Sequence, residues 1–231
     1  MKIAIIPARG GSKRIPRKNI KEFCGKPMIA YSIEAALESG LFERVIVSTD
    51  DVEIASVAIE YGAEAPFVRP EILSNDHCGT VPVIKHAIEW MISQGERPDA
   101  VCCIYATAPF VNKDDLISGS EQLYATGCDY AFSATSFPYP IQRALSIDRD
   151  MRVSMFNPEL FNVRSQELRE AWHDAGQFYW GRCDAWLNEK PVFNSDARAV
   201  LLPRHRVQDI DTMEDWTLAE WSYKTIILQR E

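Results

Sequence analysis

Three stretches of this sequence combine residue types and spacings that can do chemistry. The first is Ala8-Arg9-Gly10-Gly11-Ser12-Lys13-Arg14-Ile15-Pro16-Arg17-Lys18-Asn19. Adjacent glycines let the backbone approach a ligand closely and turn its amide hydrogens toward an anion. Ser12 adds a hydroxyl, and Arg9, Lys13 and Lys18 add cations. Each charge-assisted hydrogen bond to phosphate contributes about 1.5–3 kcal/mol. The pattern is neither G-x-x-x-x-G-K-[ST] nor G-x-G-x-x-G, which argues against an ordinary P-loop ATPase or dinucleotide fold. The second stretch is Val207-Gln208-Asp209-Ile210-Asp211-Thr212-Met213-Glu214-Asp215. Alternate residues of an extended chain point to one side, so Asp209 and Asp211 can share a hard cation such as Mg2+ while Ile210 faces the core. The same residues offer a plainer role: Asp211 or Thr212 can cap a following helix, with Glu214 or Asp215 completing a capping box. The third stretch is His173-Asp174-Ala175-Gly176-Gln177-Phe178-Tyr179-Trp180-Gly181. It reads either as a buried aromatic strand or as the wall of a pocket for a polyhydroxylated ligand, with glycines permitting close contact.

Charge separates these readings. Residues 9–26 hold seven cations (Arg9, Lys13, Arg14, Arg17, Lys18, Lys21 and Lys26) against one acid, Glu22, for a net +6. The whole chain of 231 residues carries −8, so the other 213 residues carry −14. An acidic body excludes a broad grip on a polyanion, and it disfavours a loop whose partner is nucleic acid. One basic loop at the end of an apolar strand is instead a polyphosphate cradle. A nucleoside triphosphate arrives with Mg2+, which strengthens the metal reading of Asp209 and Asp211.

Six cysteines (Cys24, Cys78, Cys102, Cys103, Cys128 and Cys183) show no C-x-x-C pair and read as reduced thiols. His77 beside Cys78 suggests a thiolate centre, but sequence neighbours rarely pair productively. The four histidines form no H-E-x-x-H motif, so a zinc site is not expected.

The elements that must position these groups follow from periodicity. Composition is that of a globular chain, 46% hydrophobic and 25% charged with 11 Gly and 13 Pro, which excludes collagenous or disordered classes. Residues 3–7 form a short buried strand, followed by the basic loop. Residues 27–39 form a helix with Ile29, Ile33, Ala36 and Leu37 on one face and Gly40 closing it. Residues 44–49 make a second strand. Asp50 or Asp51 caps a helix to Tyr61, with Gly62 behind it. Residues 64–68 read as a third strand and 69–79 as a loop. Residues 81–93 form a helix with Val83, Ile84, Ala87, Ile88 and Met91 apolar. Residues 100–105 make another strand and 114–125 another helix. This alternation predicts an α/β fold with a mostly parallel sheet, right-handed crossovers and helices on both faces. Ligands in such folds sit at the carboxyl ends of strands, where the basic loop begins. Residues 137–172, with Pro138, Pro140 and Pro158, break the pattern. They form an excursion with short strands at 144–147 and 153–156 and offer an oligomer contact. Regular structure resumes at 177–180 and 199–202, and a helix over 213–228 ends the chain. The longest apolar run, residues 101–111, is interrupted by Tyr105, Thr107 and Pro109, so no membrane span is expected. The amino-terminal apolar stretch is too short for a secretory signal, which predicts a soluble, cytoplasmic protein.

The run Ile5-Ile6-Pro7-Ala8-Arg9-Gly10-Gly11-Ser12-Lys13, with Pro16 and Lys18-Asn19, resembles the first motif of the CMP-sialate cytidylyltransferases. So do Val47-Ser48-Thr49-Asp50, Arg69-Pro70-Glu71 with Asp76, and Asp209-Ile210-Asp211-Thr212, in family order from end to end. The resemblance implies a Rossmann-like nucleotide-sugar transferase fold in a single domain over residues 1–231. Residues 137–172 would be a dimer or sugar-contact subregion of a homodimer. It implies transfer of CMP from CTP to the anomeric hydroxyl of a nine-carbon 2-keto sugar acid, with Mg2+ and release of pyrophosphate. Carried over position by position, Arg9, Gly10, Gly11, Ser12, Lys13, Lys18 and Asn19 would hold triphosphate and ribose. Arg69 and Thr80 would frame cytosine, and Asp209 and Asp211 would bind the metal. Arg9, Lys13 and Asp211 would lie nearest the chemistry.

The chain departs from the family in the segment Tyr105-Ala106-Thr107-Ala108-Pro109-Phe110-Val111, where a Gln-Pro-Thr-Ser-Pro-Leu-Arg type run is usual. Tyr105 and Val111 replace its glutamine and arginine, which implies a less polar sugar pocket, in the same direction as Phe110. Residues 173–181 resemble the pseudaminic acid branch. On that resemblance Tyr105, Gln177 and Tyr179 meet the sugar, and Gln142 or Arg164 from the excursion meets its carboxylate. The expected substrate is pseudaminic acid. N-acetylneuraminic, legionaminic and 3-deoxy-octulosonic acids are the alternatives, beside a sugar-1-phosphate nucleotidyltransferase and a non-catalytic nucleotide-binding regulator. Neither nucleic acid nor membrane is an expected partner.

Overall fold

The computed structural model describes residues 1–228; the last three residues of the expected 1–231 domain lie outside the described residues. In chain order the elements are β1 (Lys2–Pro7), β2 (Glu22–Phe23), β3 (Lys26–Pro27), α1 (Met28–Glu38), β4 (Arg44–Ser48), α2 (Val52–Glu60), α3 (Thr80–Ser93), β5 (Ala100–Ile104) and α4 (Lys113–Thr126). Then come β6 (Tyr130–Ser136), β7 (Leu145–Ile147), β8 (Val153–Met155), β9 (Trp172–Arg182), α5 (Cys183–Leu187), β10 (Arg198–Leu201) and α6 (Met213–Leu228).

The main sheet has the order β10-β6-β9-β5-β1-β4. β1 lies inside the sheet, next to the β4 edge, and its Ile3, Ala4, Ile5 and Ile6 are all fully buried, as a strand covered on both faces requires. It pairs in parallel with β4 on one side and β5 on the other. The chain therefore reverses its direction of winding between β1 and β5, and the crevice at their carboxyl ends is the topological switch point. β9 departs from the parallel expectation, running antiparallel to both β5 and β6. The excursion explains this. It leaves at the end of β6 and returns beside it, with Phe137 N donating to the Ala171 carbonyl at 3.0 Å. A strand that starts where its neighbour ended must run the other way.

Helices cover both faces. Cluster residues Ile29, Ile33, Leu116 and Leu123 pack with Phe178 and Trp180 on one side; Ile84, Ile88 and Met91 pack with Tyr179 and Trp186 on the other. The five apolar positions expected of α3 are its buried set. In α1, Ile29, Ile33 and Ala36 are buried, but Leu37 is 45% exposed at the rim. Gly119 lets α4 close on the sheet, since a Cβ there would sit 2.6 Å from Trp180 Cδ1 and 2.8 Å from Phe178 Cε2.

Two sequence expectations need correction. Residues 64–68 form no strand, only isolated parallel bridges from Ile46 to Glu64 and from Thr49 to Val68. Pro66 offers no amide hydrogen for a continuous ladder. Conversely, β6 was not expected, because its small residues Ala131, Ser133 and Ala134 hide the apolar alternation. In the excursion β7 and β8 pair as an antiparallel hairpin, close to the two short strands expected there.

Candidate functional site

A cleft of about 510 Å³ opens at the carboxyl ends of β1 and β5. Its walls include Arg9, Ser12, Lys13, Lys18, Asn19, Arg69, Thr80 and Tyr105 from the sequence-derived set, together with Arg14 and Asp76.

The basic loop is shaped by its neighbours rather than by its glycines alone. Asp51 caps α2, its side chain accepting from Glu53 N and Ile54 N. It also takes a forked pair from Arg17, whose positive φ of 57° turns the loop back toward α2. Gly10 lies against this carboxylate, because a Cβ would fall 2.6 Å from Asp51 Oδ2. With Asp51 used as the cap, Asp50 is left to meet the basic loop and Arg69. Asp50 Oδ1 accepts from Gly10 N at 3.0 Å and lies 3.6 Å from Arg69 Nη2. Ser12 N donates back to the Gly10 carbonyl at 3.0 Å. The amides of Gly10 and Ser12 are thus engaged within the protein, and the loop presents its side-chain cations to the cleft.

Those cations divide into two groups. Arg9 and Lys13 stand over the cleft with side chains 36% and 79% exposed, both held by Asp76. The Asp76 carboxyl is lowered to about 2, first by Lys13 and then by Arg9. Arg14 and Lys18 turn toward the carboxylate pair. Arg14 Nη2 lies 2.7 Å from Asp211 Oδ1, and Lys18 Nζ donates to the Ile210 carbonyl at 2.6 Å and lies 3.7 Å from Asp211. Burial lowers the Lys18 pKa, opposed by Asp211 and Asp209. Asn19, 8% exposed, donates to the Arg9 carbonyl at 2.9 Å and braces the loop.

At the other end Arg69 is 4% exposed, and its burial lowers the pKa of the guanidinium against the pull of Asp50. Thr80 opens α3, and its hydroxyl lies 3.1 Å from that of Tyr105. Tyr105 and Thr80 also wall a smaller cavity of about 140 Å³, with Asp174, Tyr179, Trp186, Val192 and Phe193. The Tyr179 hydroxyl donates to Asp174, and burial pushes the phenol far up.

Asp209 and Asp211 flank the buried Ile210 on the segment before α6. Capping does not consume them. Thr212 Oγ1 accepts from Asp215 N at 3.2 Å, and Asp215 Oδ2 accepts from Thr212 N at 2.8 Å and Asp211 N at 3.1 Å. Desolvation, then the like charge of Asp211, raises the Asp209 carboxyl. A nearby cation would relieve that strain on the ionised form.

Other residues lie elsewhere. Gln177 is buried in β9 and gives Nε2 to the Arg206 carbonyl at 2.5 Å, so it pins the segment leading to Asp209 rather than lining the cleft. Gln142 and Arg164 sit on the excursion and do not line this chain's cleft; Gln142 Nε2 donates to the Arg169 carbonyl at 2.8 Å. Phe110 and Val111 face a separate cavity with Lys26, Tyr31 and Tyr223, which corrects their expected part in the sugar pocket. Arg14, Asp76 and Asp174 line these walls without having been expected there. Asp76 and Asp174 lie inside motifs already singled out, and Arg14 inside the basic run. The six cysteines are free thiols, four of them buried, as the spacing predicted.

A cation-walled cleft at the switch point of a Rossmann-like sheet, with a carboxylate pair beside it, defines a nucleotidyltransferase. The chain belongs to the cytidylyltransferase family, whose model matches residues 3–177. It is 50% identical over 222 residues, 96% of each chain, to a protein of Campylobacter jejuni named pseudaminic acid cytidylyltransferase. It is 32% identical, over 94% of each chain, to the CMP-N,N'-diacetyllegionaminic acid synthase of Legionella pneumophila. Its fold is that of a CMP:2-keto-3-deoxy-manno-octonic acid synthetase solved with CTP, with a TM-score of 0.69 at 18% identity over 100% of this chain and 99% of that one.

Proposed function

We propose that this chain transfers the cytidylyl group of CTP to the anomeric hydroxyl of a nonulosonic acid, pseudaminic acid before its isomers, releasing pyrophosphate. The observation that carries the reading is the cation-walled cleft with a small aromatic cavity adjoining it at the shared walls Thr80 and Tyr105, in a chain 50% identical to the Campylobacter enzyme. The cleft suits the nucleotide. Arg9 and Lys13 take the phosphates, with Ser12 adding a hydroxyl, and Arg69 and Thr80 receive the base. The cavity suits the sugar. Trp186, Val192, Phe193 and the Tyr179 ring offer apolar walls for acetamido methyl groups, and Asp174 and Tyr105 offer polar contacts beside them.

An anomeric hydroxyl next to a carboxylate is a poor nucleophile, so charge developing on the phosphates must be met by groups already in place. Arg9 and Lys13 do this on the pyrophosphate side. Asp209 and Asp211 fit Mg2+: both are hard oxygen donors, and the Asp209 carboxyl is strained in its ionised form. Among the described residues no cluster of three His, Cys, Asp or Glu side chains offers a metal cage. A cation held by two carboxylates plus substrate phosphates is the usual arrangement for Mg2+. Bound there, it would supply charge neutralisation at the phosphates. Arg14 and Lys18 pair with Asp211 Oδ1, so a cation bound there would share that carboxylate with them or displace them.

The excursion supports a homodimer. Tyr139, Leu145, Ile147, Val153, Phe156 and Phe161 all expose more than half of their surface on it, an apolar patch that a second copy would cover. On this reading Gln142 and Arg164 serve the sugar site only if a second copy brings them to it. We place the reaction in the cytoplasm, where CTP is made; no helix of the described residues is long and apolar enough to cross a membrane.

The test is pyrophosphate release from CTP with each free keto acid and with sugar 1-phosphates. Release with a nonulosonic acid supports the reading. Release with a sugar phosphate alone, or CTP binding without turnover, would overturn it.

A further inference from the structure

Asp76 has no part in the reading above, yet it occupies the cations on which that reading depends. Its Oδ1 accepts from Arg9 Nη1 at 2.5 Å and its Oδ2 lies 2.5 Å from Lys13 Nζ. One carboxylate thus spans the pair assigned to the phosphates. The loop that delivers it is braced. Arg69 Nε donates to Ser74 Oγ at 3.1 Å, and the Arg69 amide donates to the Thr49 carbonyl at 2.8 Å. Asn75 Oδ1 accepts from His77 N at 2.9 Å and from Cys78 N at 3.0 Å. Asp76 is therefore presented by a folded loop anchored at the buried Arg69, at high local concentration, rather than by a long free side chain.

A carboxylate and a phosphate oxygen carry the same sign and accept the same donors, so they cannot both hold these two cations. We propose that Asp76 is a built-in competitor for the phosphate groups held by Arg9 and Lys13. It yields to the incoming triphosphate and reclaims both cations as pyrophosphate leaves. The inference rests on the proposed function, in which this side of the cleft holds the triphosphate. Competition trades some nucleotide affinity for faster release of a highly charged product, a step that limits turnover in many enzymes. The opposite role is equally definite: a carboxylate that only aligns Arg9 and Lys13 would assist phosphate binding. The two roles predict opposite signs.

The experiment is calorimetric titration of wild type, Asp76→Asn and Asp76→Glu with inorganic pyrophosphate and tripolyphosphate, with cytidine as the control. Two exposed ion pairs lost together should tighten pyrophosphate binding about three- to tenfold in Asp76→Asn. Product inhibition by pyrophosphate should strengthen by the same factor. Cytidine affinity should not change, and Asp76→Glu, which keeps the charge, should stay close to wild type. Unchanged pyrophosphate affinity in Asp76→Asn overturns the proposal, and weaker affinity assigns Asp76 to alignment instead. Failure of the wild type to bind either polyphosphate would sink the triphosphate reading of the cleft itself.

Discussion

Gly10 and Gly11 are adjacent in the sequence, but the structure gives alanine at the two positions opposite consequences. At Gly10 an added Cβ would lie 2.6 Å from Asp51 Oδ2, 3.0 Å from its Cβ and 3.1 Å from its Cγ. Asp51 cannot swing aside, because it caps α2 through two amides and receives Arg17. Restoring an ordinary contact requires roughly 1 Å of movement, and the loop is the part able to move. Overpacking of this kind costs about 1–3 kcal/mol. For a chain of this size that lowers Tm by roughly 2–4 °C per kcal/mol. The displaced segment includes Arg9, and a misplacement of about 1 Å at a binding group can cost on the order of 100-fold in rate. At Gly11 nothing lies within 4 Å of the added Cβ, so stability should stay within about 0.5 kcal/mol of wild type. The assay is thermal unfolding together with pyrophosphate release at varied CTP. Gly10→Ala should melt earlier and lose kcat/KM for CTP. Gly11→Ala should melt like wild type, and any loss of activity there reports ligand in the space its Cβ fills. A Gly10→Ala protein with wild-type melting and CTP dependence would refute the packing argument.

Asp209→Ala and Asp211→Ala should each lower turnover by at least about 100-fold, the scale of losing several kcal/mol of phosphate neutralisation, while circular dichroism stays that of the folded protein. Wild-type activity in both variants would sink the metal assignment, as would turnover that survives chelation by EDTA. Gly119→Ala should destabilise by about 1–3 kcal/mol, since its Cβ would strike Trp180 and Phe178, but should leave kcat per folded molecule unchanged. A folded-state carboxyl depressed to about 2, chiefly by Arg17, lets Asp51 stabilise the fold fully above its unfolded pKa, and the gain is lost as pH falls through about 4 to 2. The gap in urea midpoint between wild type and Arg17→Ala should therefore be present at neutral pH and close across that acid window. A gap that widens on acidification would contradict the assignment.

The parts of this protein legible from the sequence were those fixed by local chemistry. The five apolar positions of α3, a helix cap at Asp50 or Asp51 and the basic loop after β1 depend on neighbours a few residues away, and periodicity or capping preference reveals them. What the sequence concealed depended on long-range geometry. Nothing near β9 reveals that it runs antiparallel; that follows from where the excursion re-enters. Pro66, with no amide hydrogen, is the local signal against a strand at 64–68. In the site, residue type located the cations but not their partners. That Asp50 takes the Gly10 amide, Asp76 bridges Arg9 and Lys13, and Gln177 pins Arg206 are facts about side chains meeting across 29 to 67 positions. Phe110 and Val111 show the reverse error: apolar residues just after β5 point by type to the sugar, but they line a different cavity.

The most direct test of the account is a competition. Equal concentrations of pseudaminic, legionaminic and N-acetylneuraminic acids are offered to the protein with limiting CTP and Mg2+, and the CMP-sugars are resolved by chromatography. Their ratio measures relative kcat/KM without separate kinetics. The account predicts CMP-pseudaminic acid as the dominant product, with pyrophosphate released in equal amount. Dominance of the N-acetylneuraminic product, or no CMP-sugar from any of the three, would contradict it.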